Sequence, residues 1–435
     1  MTGSLSPRQL RIGYLMQNGA PDLSQISGPQ LHTLAVINGL IKLGHTVRAV
    51  GFQKDRLGWS DDLQEWSPPR YGFTKRRWFR YVESLLRRIQ YELKIPFLGL
   101  FDSLHYADAC HHHLDGFDVL YERHGYMGFG GLIAARWLGV PVVLELNGNI
   151  IREIDERGLS IPPLQRRIGM WITIQTLKSA DRVVVVSEAL RQTLIHEYGI
   201  PTGKVSVVLN GVNIELFSQP HDHDAIRSRH GLPSDPIVTF VGSFEPWHGV
   251  DLLVSSFEQV RQRHPDSQLV IVGDGSGKDK AVSRANDLGL GDRVRFLGRL
   301  PQDQVAAVLS ISRVLVAPYP FESGDIVGTP LKIMEYMAAG KGIVASTAPI
   351  HERIEDGVTG LRVAQANEKA LADGIVKLLE NDELCASLGG NAFRQAQTYS
   401  WDHVSAELAN IFMEVLGHAS ETAQAQPGSV RLENS

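Results

Sequence analysis

The sequence predicts an α/β protein made of two doubly wound domains, each with a parallel sheet covered by helices on both faces. Three observations predict this class. Short β-branched apolar runs alternate with helical stretches along the 435 residues, the runs are continuous rather than alternating, and glycines follow several of them. Continuous apolar runs are typical of parallel strands that are buried on both faces. The chain is also longer than one ordinary domain.

Twelve strands are predicted, six in each half of the chain. In the first half they are Leu10–Met16, Thr46–Phe52, Asp118–Tyr121, Pro141–Leu146, Arg182–Ser187 and Val205–Leu209. In the second half they are Ile237–Gly242, Gln268–Gly273, Arg293–Leu297, Arg313–Pro318, Gly342–Ser346 and Leu361–Val363. A helical stretch follows each strand, which is the order of a parallel βαβ fold.

The domain boundary is predicted where this pattern gives way to the polar stretch QPHDHDAIRSRHGLPSDP. A further helix begins after Ser400, which is an N-cap residue type, and the small polar residues that follow it predict a disordered tail. We therefore divide the chain into an N-terminal domain, a C-terminal domain, a terminal helix and a tail: 1–215, 216–400, 401–418 and 419–435.

Composition excludes several classes of protein. The formal net charge is −5, so no overall basic character indicates nucleic-acid binding. The two cysteines, Cys110 and Cys385, form no disulfide framework or zinc-binding pattern, and they suit a reducing cytoplasm. We find no signal peptide and no apolar run of about 18 residues that would span a membrane.

The stretch from Pro318 to Gly342 predicts an anion site. Here a strand ends in a loop rich in glycine and acidic residues, and a helix follows, with Thr329 as N-cap, Pro330 as first helical residue and Gly340 as the stop. Its free N–H groups and positive dipole end therefore lie at the edge of the sheet where ligands bind, and they suit a diphosphate.

Two charged residues of this helix are candidates for the same site. Glu335 lies among apolar residues, where a carboxylate needs a partner; a ribose diol and a structural lysine or backbone partner are both open. Lys332 lies in the first turn, which is unfavourable for a cation unless an anion is present. A lysine pointing into solvent is the alternative.

Glycines end three strands of the second half: Gly242, Gly273 and Gly298. Each alone is explained by a tight turn. Three in one domain favour a nucleotide crevice beyond the carboxyl ends of the strands.

Several segments closely resemble the family-four retaining glycosyltransferases of the GT-B fold. They are VVSEALRQTLIHEYGIP, VVLNGVNIELF, FVGSFEPWHGVDLL, LVIVGDGS and the stretch PYPFESGDIVGTPLKIMEYMAAGKG. The likeness runs from about Arg11 to the helix at Trp401. It implies two facing Rossmann-like domains, a C-terminal helix that crosses back to the first, and a nucleotide-sugar donor held by the C-terminal domain.

The resemblance also implies site residues. Gly28 matches the loop that approaches the donor phosphate and sugar, Asn147 lies where the family often has a histidine near the transferred sugar, and Glu335 matches the glutamate that binds the ribose. The donor-binding candidates are Gly28, Gly242, Ser243, Gly273, Gly298, Asp325, Gly328, Thr329, Pro330 and Glu335, and the catalytic candidates are Asn147, His248, Lys332 and Glu322.

Three positions depart from the family pattern. An arginine and a lysine that neutralise the diphosphate are replaced by Ser243 and His248, and the first glutamate of the usual pair is replaced by Val327. Glu322 and Asp325 lie nearby and are candidates to substitute for that glutamate. The Trp-His-Gly stretch at 247–249 therefore suggests a subgroup, with phosphate charge balanced by His248, Lys332 and the amides at the helix start.

By resemblance the reaction retains anomeric configuration. The leaving phosphate oxygen takes the acceptor's proton, and no metal or other cofactor is required. Positioning and charge stabilisation are then the protein's main contributions.

A basic amphipathic segment, Lys75–Lys94, carries apolar residues at helical spacing amid seven lysines and arginines. Two interpretations are open: a helix that packs its apolar stripe into the core and exposes a basic face, and a helix that contacts an anionic membrane or a lipid-pyrophosphate acceptor.

We therefore expect a cytoplasmic enzyme, or one at the inner face of the membrane, that transfers a sugar to a cell-surface polysaccharide or glycolipid precursor. The alternatives are a non-catalytic nucleotide-sugar-binding partner of another transferase, a transferase for small molecules, and a nucleotide-sugar epimerase on the same fold.

Overall fold

The chain forms two compact units. A computed structural model describes residues 8–18, 27–53, 56–93, 99–148, 161–234, 236–320, 330–348 and 351–424. The first unit comprises Met1–Val208 and Ser405–Ser435, and the second comprises Leu209–Val404. The division falls after residue 208 rather than 215, because the amide of Val212 bonds to the carbonyl of Tyr399 at 2.9 Å within the second unit.

The first unit contains a seven-stranded sheet among the described residues, in the order β3-β2-β1-β4-β5-β6-β7. Its strands are β1 Arg11–Met16, β2 Thr46–Gln53, β3 Arg56–Ser60, β4 Val119–Arg123, β5 Val142–Leu146, β6 Arg182–Val185 and β7 Val205–Val207. All pairs are parallel except β2 with β3. The antiparallel edge strand β3 was not predicted, since its sequence RLGWS lacks a continuous apolar run.

Helices connect these strands: α1 Gly28–Lys42, α2 Arg77–Glu92, α3 Leu100–His113, α4 Gly130–Leu138, α5 Pro163–Ser179 and α6 Glu188–His196. Both α1 and α6 begin at a serine whose side chain accepts a hydrogen bond from the first turn, Ser27 and Ser187. These caps satisfy one of the free N–H groups at each helix start.

The second unit contains a six-stranded sheet in the part of the chain that the structure describes, in the order β10-β9-β8-β11-β12-β13. Its strands are β8 Ile237–Val241, β9 Gln268–Val272, β10 Val294–Gly298, β11 Val314–Ala317, β12 Gly342–Ser346 and β13 Leu361–Val363. Every pair is parallel. The chain order reverses between β8 and β11, which makes their carboxyl ends the topological switch point where such sheets bind ligands.

The helices of the second unit cover both faces of its sheet. They are α7 Ile214–Ser218, α8 His223–His230, α9 Val250–Arg263, α10 Lys278–Asp287, α11 Gln302–Ser310, α12 Leu331–Ala338, α13 Glu368–Glu380 and α14 Asp382–Ala396. One apolar cluster is centred on α9 and α13, and the other on α11 and α12. Because both faces are covered, the central strands are buried and read as continuous apolar runs.

The terminal helix α15, Trp401–Gln424, is longer than predicted. It begins after Ser400, whose hydroxyl accepts from the amide of His403 at 3.2 Å as expected of an N-cap. Residues 419–424 were predicted as disordered tail but continue the helix, and 425–435 lie outside the described residues. Phe412 is buried in the first unit, 5.2 Å from the ring of Tyr121. No described helix is long and apolar enough to cross a membrane.

Candidate functional site

Three adjacent strands of the second unit end at one edge of the sheet. They are β8, β11 and β12, which are neighbours in the order β8-β11-β12. A serine and a histidine follow β8, an aromatic ring follows β11, and β12 ends in a second serine that is followed by a second histidine. This edge is the switch point, so a ligand site is expected here from topology alone.

Lys332 is buried at this edge, with 8% of its surface exposed. Its Nζ lies 4.5 Å from the ring centre of Phe240 and 5.4 Å from that of Tyr319. It makes no hydrogen bond to any described residue. Burial lowers the pKa of Lys332 to about 7, and the charge of Glu335 opposes this shift. The alternative of a lysine pointing into solvent is therefore wrong. Among the described residues the ammonium has no oxygen partner, and an anion would supply one.

The helix α12 begins at Leu331, one residue later than predicted. Pro330 is the N-cap, with an extended ψ of 130°, and makes no side-chain cap hydrogen bond. The prediction placed Pro330 inside the helix and Thr329 as its cap, but an extended backbone at Pro330 delays the first helical turn. Gly340 ends the helix as predicted, with a φ of +64° that favours glycine. In the part of the chain that the structure describes, no side chain caps the first amides of α12, which suits them to an anion.

His248 is held by the backbone at the end of β8. Its Nδ1 lies 2.6 Å from the carbonyl oxygen of Ser243 and 3.1 Å from the hydroxyl of the same residue. Because a carbonyl only accepts, Nδ1 carries the proton. Burial, and then the nearby charge of Lys332, lower the pKa of His248 well below its ordinary value. The lowered pKa favours the neutral form of His248 near neutral pH.

His351 repeats this arrangement at the end of β12 and was missed from the sequence. Its Nδ1 lies 3.0 Å from the carbonyl oxygen of Ser346 and 3.2 Å from its hydroxyl. Burial lowers the pKa of His351 to about 3. The ring of Tyr319 lies between the two histidines, 5.2 Å from His248 and 4.7 Å from His351. The repeated spacing of serine and histidine, five residues apart after two strands, is a signal that identifies His351.

Glu335 lies one turn after Lys332 and is 7% exposed. Its Oε1 accepts a hydrogen bond from Nε2 of Gln302 at 3.1 Å, a partner that the sequence did not identify. Burial raises the pKa of Glu335, while the bond from Gln302 and the charge of Lys332 lower it. The side chain of Gln302 thus orients the buried carboxylate of Glu335, whose oxygens can accept further hydrogen bonds from a diol.

The three predicted glycines are brought together. The amide of Gly273 bonds to the carbonyl of Gly298 at 2.8 Å. A Cβ on Gly273 would lie 1.8 Å from the carbonyl oxygen of Gly242, and a Cβ on Gly242 would lie 2.4 Å from Nζ of Lys332. Close packing of backbone and lysine, rather than turn geometry alone, requires glycine at these two positions.

Two family models match the chain. "Glycosyltransferase Family 4" matches residues 26–216 and "Glycosyl transferases group 1" matches residues 222–395. The chain belongs to the family 4 glycosyltransferases.

Individual relatives of this glycosyltransferase agree with that placement. A D-inositol 3-phosphate glycosyltransferase of Corynebacterium glutamicum is 30% identical over 266 residues, which are 58% of this chain and 62% of that protein. The match thus spans less than two thirds of the relative's length.

Solved structures show the same GT-B fold. Sucrose-phosphate synthase of Thermosynechococcus elongatus has a TM-score of 0.70 at 18% identity, covering 94% of this chain and 100% of that one. Anabaena HepE in complex with UDP and glucose has a TM-score of 0.67 at 18% identity, covering 93% and 100%.

The remaining predicted residues of the glycosyltransferase fall into two groups. Gly28, the first residue of α1, and Asn147, which follows β5, belong to the first unit. The Nδ2 atom of Asn147 is buried and has no hydrogen-bond partner among the described residues. The other group, Glu322, Asp325, Val327, Gly328 and Thr329, lies outside the described residues.

Proposed function

We propose that this glycosyltransferase transfers a sugar from a nucleotide-diphosphate donor and retains the anomeric configuration. The observation that carries the proposal is the buried ammonium of Lys332. It has no hydrogen-bond partner among the described residues and lies in the first turn of α12, at the switch point of the sheet. A diphosphate is the ligand class that satisfies both a buried cation and an uncapped helix N-terminus.

The site suggests one arrangement of the donor. Lys332 and the first amides of α12 bind the diphosphate, and Glu335, oriented by Gln302, accepts hydrogen bonds from the ribose. His248 and His351 present Nε2 as a hydrogen-bond acceptor rather than as a cation. We propose that Asn147 and Glu322 contact the reacting centre. Further contacts to the donor are proposed for Gly28, Gly242, Ser243, Gly273, Gly298, Asp325, Gly328, Thr329 and Pro330.

Charge stabilisation and positioning supply the chemistry in this proposal. The bond from the anomeric carbon to the phosphate oxygen breaks, and the acceptor oxygen bonds to that carbon on the same face. The acceptor's proton passes to the leaving phosphate oxygen. Lys332 and the helix terminus stabilise the negative charge that develops on the diphosphate. Because the protein itself supplies this positive charge, we propose that no metal is required, and activity is expected to persist in EDTA.

The Trp-His-Gly stretch defines a proposed subgroup. Trp247 and His248 form a short 3₁₀ turn, and Gly249, with a φ of +69°, leads into α9. The turn fixes His248 against Ser243, where the family pattern has two cations. We propose that members with this stretch move the diphosphate charge balance from that loop to the lysine of α12.

The acceptor is proposed to be a cell-surface polysaccharide or glycolipid precursor, handled in the cytoplasm or at the inner face of the membrane. Two features support this: the exposed apolar face of α2, and the two buried, unpaired cysteines, which suit a reducing compartment. A small-molecule acceptor is the second candidate, because the name of the Corynebacterium relative gives inositol 3-phosphate as its acceptor.

Thermal unfolding with UDP, GDP and ADP, and with their sugar conjugates, tests the donor site. A ligand at ~100 times its Kd stabilises the fold by roughly 2.7 kcal/mol. We expect one nucleotide to raise the Tm of the wild type and K332M to weaken its binding by about 10- to 100-fold, since a charge-assisted hydrogen bond is worth about 1.5–3 kcal/mol. K377M, which changes an exposed lysine of the same unit, serves as the control.

The outcomes separate the candidate functions. Loss of the response in K332M but not in K377M supports the diphosphate assignment, and NMR of the product anomer then tests retention. Equal responses of the two variants would show that Lys332 does not bind the donor. Binding without turnover on any acceptor favours the non-catalytic partner. No response to any nucleotide contradicts the proposal.

A further inference from the structure

The helix α2 contacts α3 through one buried aromatic ring and two polar pairs. Phe79 is the one large apolar side chain of α2 that is buried, and it packs 6.1 Å from the ring of Phe101 on α3. Glu83 then pairs with Nε2 of His105 at 2.9 Å, and Arg87 pairs with Asp102 at 2.9 Å. Because α2 contacts α3 through one buried ring and two polar pairs, its other large apolar side chains are left exposed.

The apolar stripe of α2 faces outward. Eight of the sixteen large apolar side chains that the described residues expose lie in this one helix and its end: Trp78, Tyr81, Val82, Leu85, Leu86, Ile89, Tyr91 and Leu93. Five of them recur at spacings of four, three, four and four residues, Trp78, Val82, Leu85, Ile89 and Leu93, so they line one face. The interpretation of a helix that buries this stripe in the core is therefore wrong. An exposed apolar stripe of this size marks an interaction surface.

Positive charge borders the stripe. From residue 75 to residue 93 the chain carries six lysines and arginines against two glutamates, a net charge of 6 − 2 = +4, although the whole chain carries −5. Arg76, Arg77, Arg80 and Arg88 are all exposed. A second copy of this chain would bring the same arginines against these, so charge opposes self-association through this face. An anionic lipid surface complements both the charge and the apolar stripe.

The dimensions of α2 suit a helix that lies flat on a bilayer. Its 16 residues span about 24 Å, and no described helix is apolar enough to cross a membrane. Trp78, Tyr81 and Tyr91 are amphipathic aromatic residues of the type that settles at the level of lipid headgroups. They are 56%, 71% and 85% exposed.

We propose that the outer face of α2 binds an anionic lipid bilayer, with the helix parallel to the surface, the apolar stripe in the headgroup–acyl boundary and the arginines on lipid phosphates. The binding itself is independent of catalysis. Its purpose, delivery of the enzyme to a lipid-linked acceptor, rests on the proposed function.

Flotation of the full chain with vesicles tests the proposal. We expect binding to vesicles of 70% phosphatidylcholine and 30% phosphatidylglycerol, and at least tenfold less to phosphatidylcholine alone. The triple variant W78S/L85S/I89S should abolish flotation at low and high salt. The triple variant R77Q/R80Q/R88Q should reduce it at least tenfold at low salt, because it removes the attraction to the anionic headgroups.

Matched controls change the same chemistry elsewhere. V358S/M413S removes exposed apolar side chains and R229Q/K280Q/K377Q removes three exposed cations, all outside α2. Both should float as the wild type does. All variants change exposed residues, so an unchanged Tm and an unchanged Tm increase with the nucleotide that stabilises the wild type show that the fold and donor site are intact. That second readout separates failure of the membrane proposal from failure of the proposed function.

Three results overturn the proposal. They are no flotation of folded wild type with anionic vesicles at low salt, an equal loss in the controls, and persistent flotation of W78S/L85S/I89S. Sedimentation adds a fourth: a wild-type dimer that W78S/L85S/I89S converts to monomer assigns the face to a second copy of the chain.

Discussion

The environment of Lys332 differs strongly from that of an ordinary lysine, because its side chain is buried. A lysine in the unfolded chain keeps its proton up to about pH 10.4, but burial lowers the pKa of Lys332 in the folded protein to about 7. Between these values the unfolded state binds more protons, so the free energy of unfolding of the ligand-free protein rises with pH across this window. Near neutral pH the buried ammonium of Lys332 is therefore destabilised, and a bound anion would stabilise it.

Donor affinity should therefore depend on pH through Lys332. A bound diphosphate favours the ammonium form of Lys332, so UDP should bind more weakly as pH rises from about 7 to 9, by up to tenfold per pH unit. At pH 8, binding of UDP should be accompanied by the uptake of about one proton by the protein. Burial and the charge of Lys332 lower the pKa values of His248 and His351, so these two histidines do not gain a proton in this pH range.

Calorimetry of UDP binding in two buffers of different ionisation enthalpy measures both quantities. K332M is the control, and its weaker binding should lose the pH dependence and the proton uptake. Affinity that is constant from pH 7.5 to 9, with no proton uptake, would exclude Lys332 as the group that binds the diphosphate.

Elements differ in how far their sequence determines them. The strand predictions agree with the structure to within two residues, because a strand buried on both faces must be continuously apolar. The edge strand β3 escaped this rule, since its pairing with β2 is antiparallel and its sequence is short and mixed. For α2, spacing predicted the helix and its apolar face but left the direction of that face open. The direction in which this apolar face points depends on contacts with α3, which include the pairs that Glu83 and Arg87 form with it.

The site shows the same limit. Lys332 and Glu335 were found because a charged residue in an apolar helix is conspicuous in one segment of sequence. His351, Tyr319 and Gln302 follow different strands or lie on another helix, so only the order of the sheet shows that they share an edge. The charge state of His248 could not be predicted from the sequence either, because it depends on burial and on the hydrogen bond to the carbonyl of Ser243.

The glycines at the ends of β8 and β9 give a prediction at the scale of the element. G242A adds a Cβ against the flexible end of Lys332, so it should displace the ammonium and weaken UDP binding with a loss of about 1–2 kcal/mol in stability. G273A adds a Cβ against the backbone of Gly242, which cannot move alone, and should cost about 1–3 kcal/mol or more.

Urea unfolding and UDP titration of both variants check this, with G390A as the control. Gly390 lies in α14 with open space around it, so alanine there should be neutral or stabilising by about 0.5–1 kcal/mol. Stability of G273A equal to that of G390A would show that the close approach of Gly242 and Gly273 is not required for the fold.

At the scale of the whole molecule, the two units carry different parts of the proposed function. Lys332, Glu335, Gln302 and the two histidines all belong to the second unit, whereas Gly28, Asn147 and the exposed face of α2 belong to the first. The nucleotide alone should therefore act mainly on the second unit, where most of its proposed contacts lie, and the lipid surface on the first.

Hydrogen exchange of the full chain with UDP tests this division. Protection should concentrate in peptides over 236–250, 314–320 and 330–348, because the amides of these segments lie at the ends of β8, β11 and β12 and at the start of α12. Anionic vesicles should protect peptides over 77–93 and leave those segments unchanged. In K332M the UDP effect should fall while the vesicle effect stays. If UDP instead protects peptides of the first unit alone, the nucleotide does not bind at the switch point, and the buried lysine needs another anion as its partner.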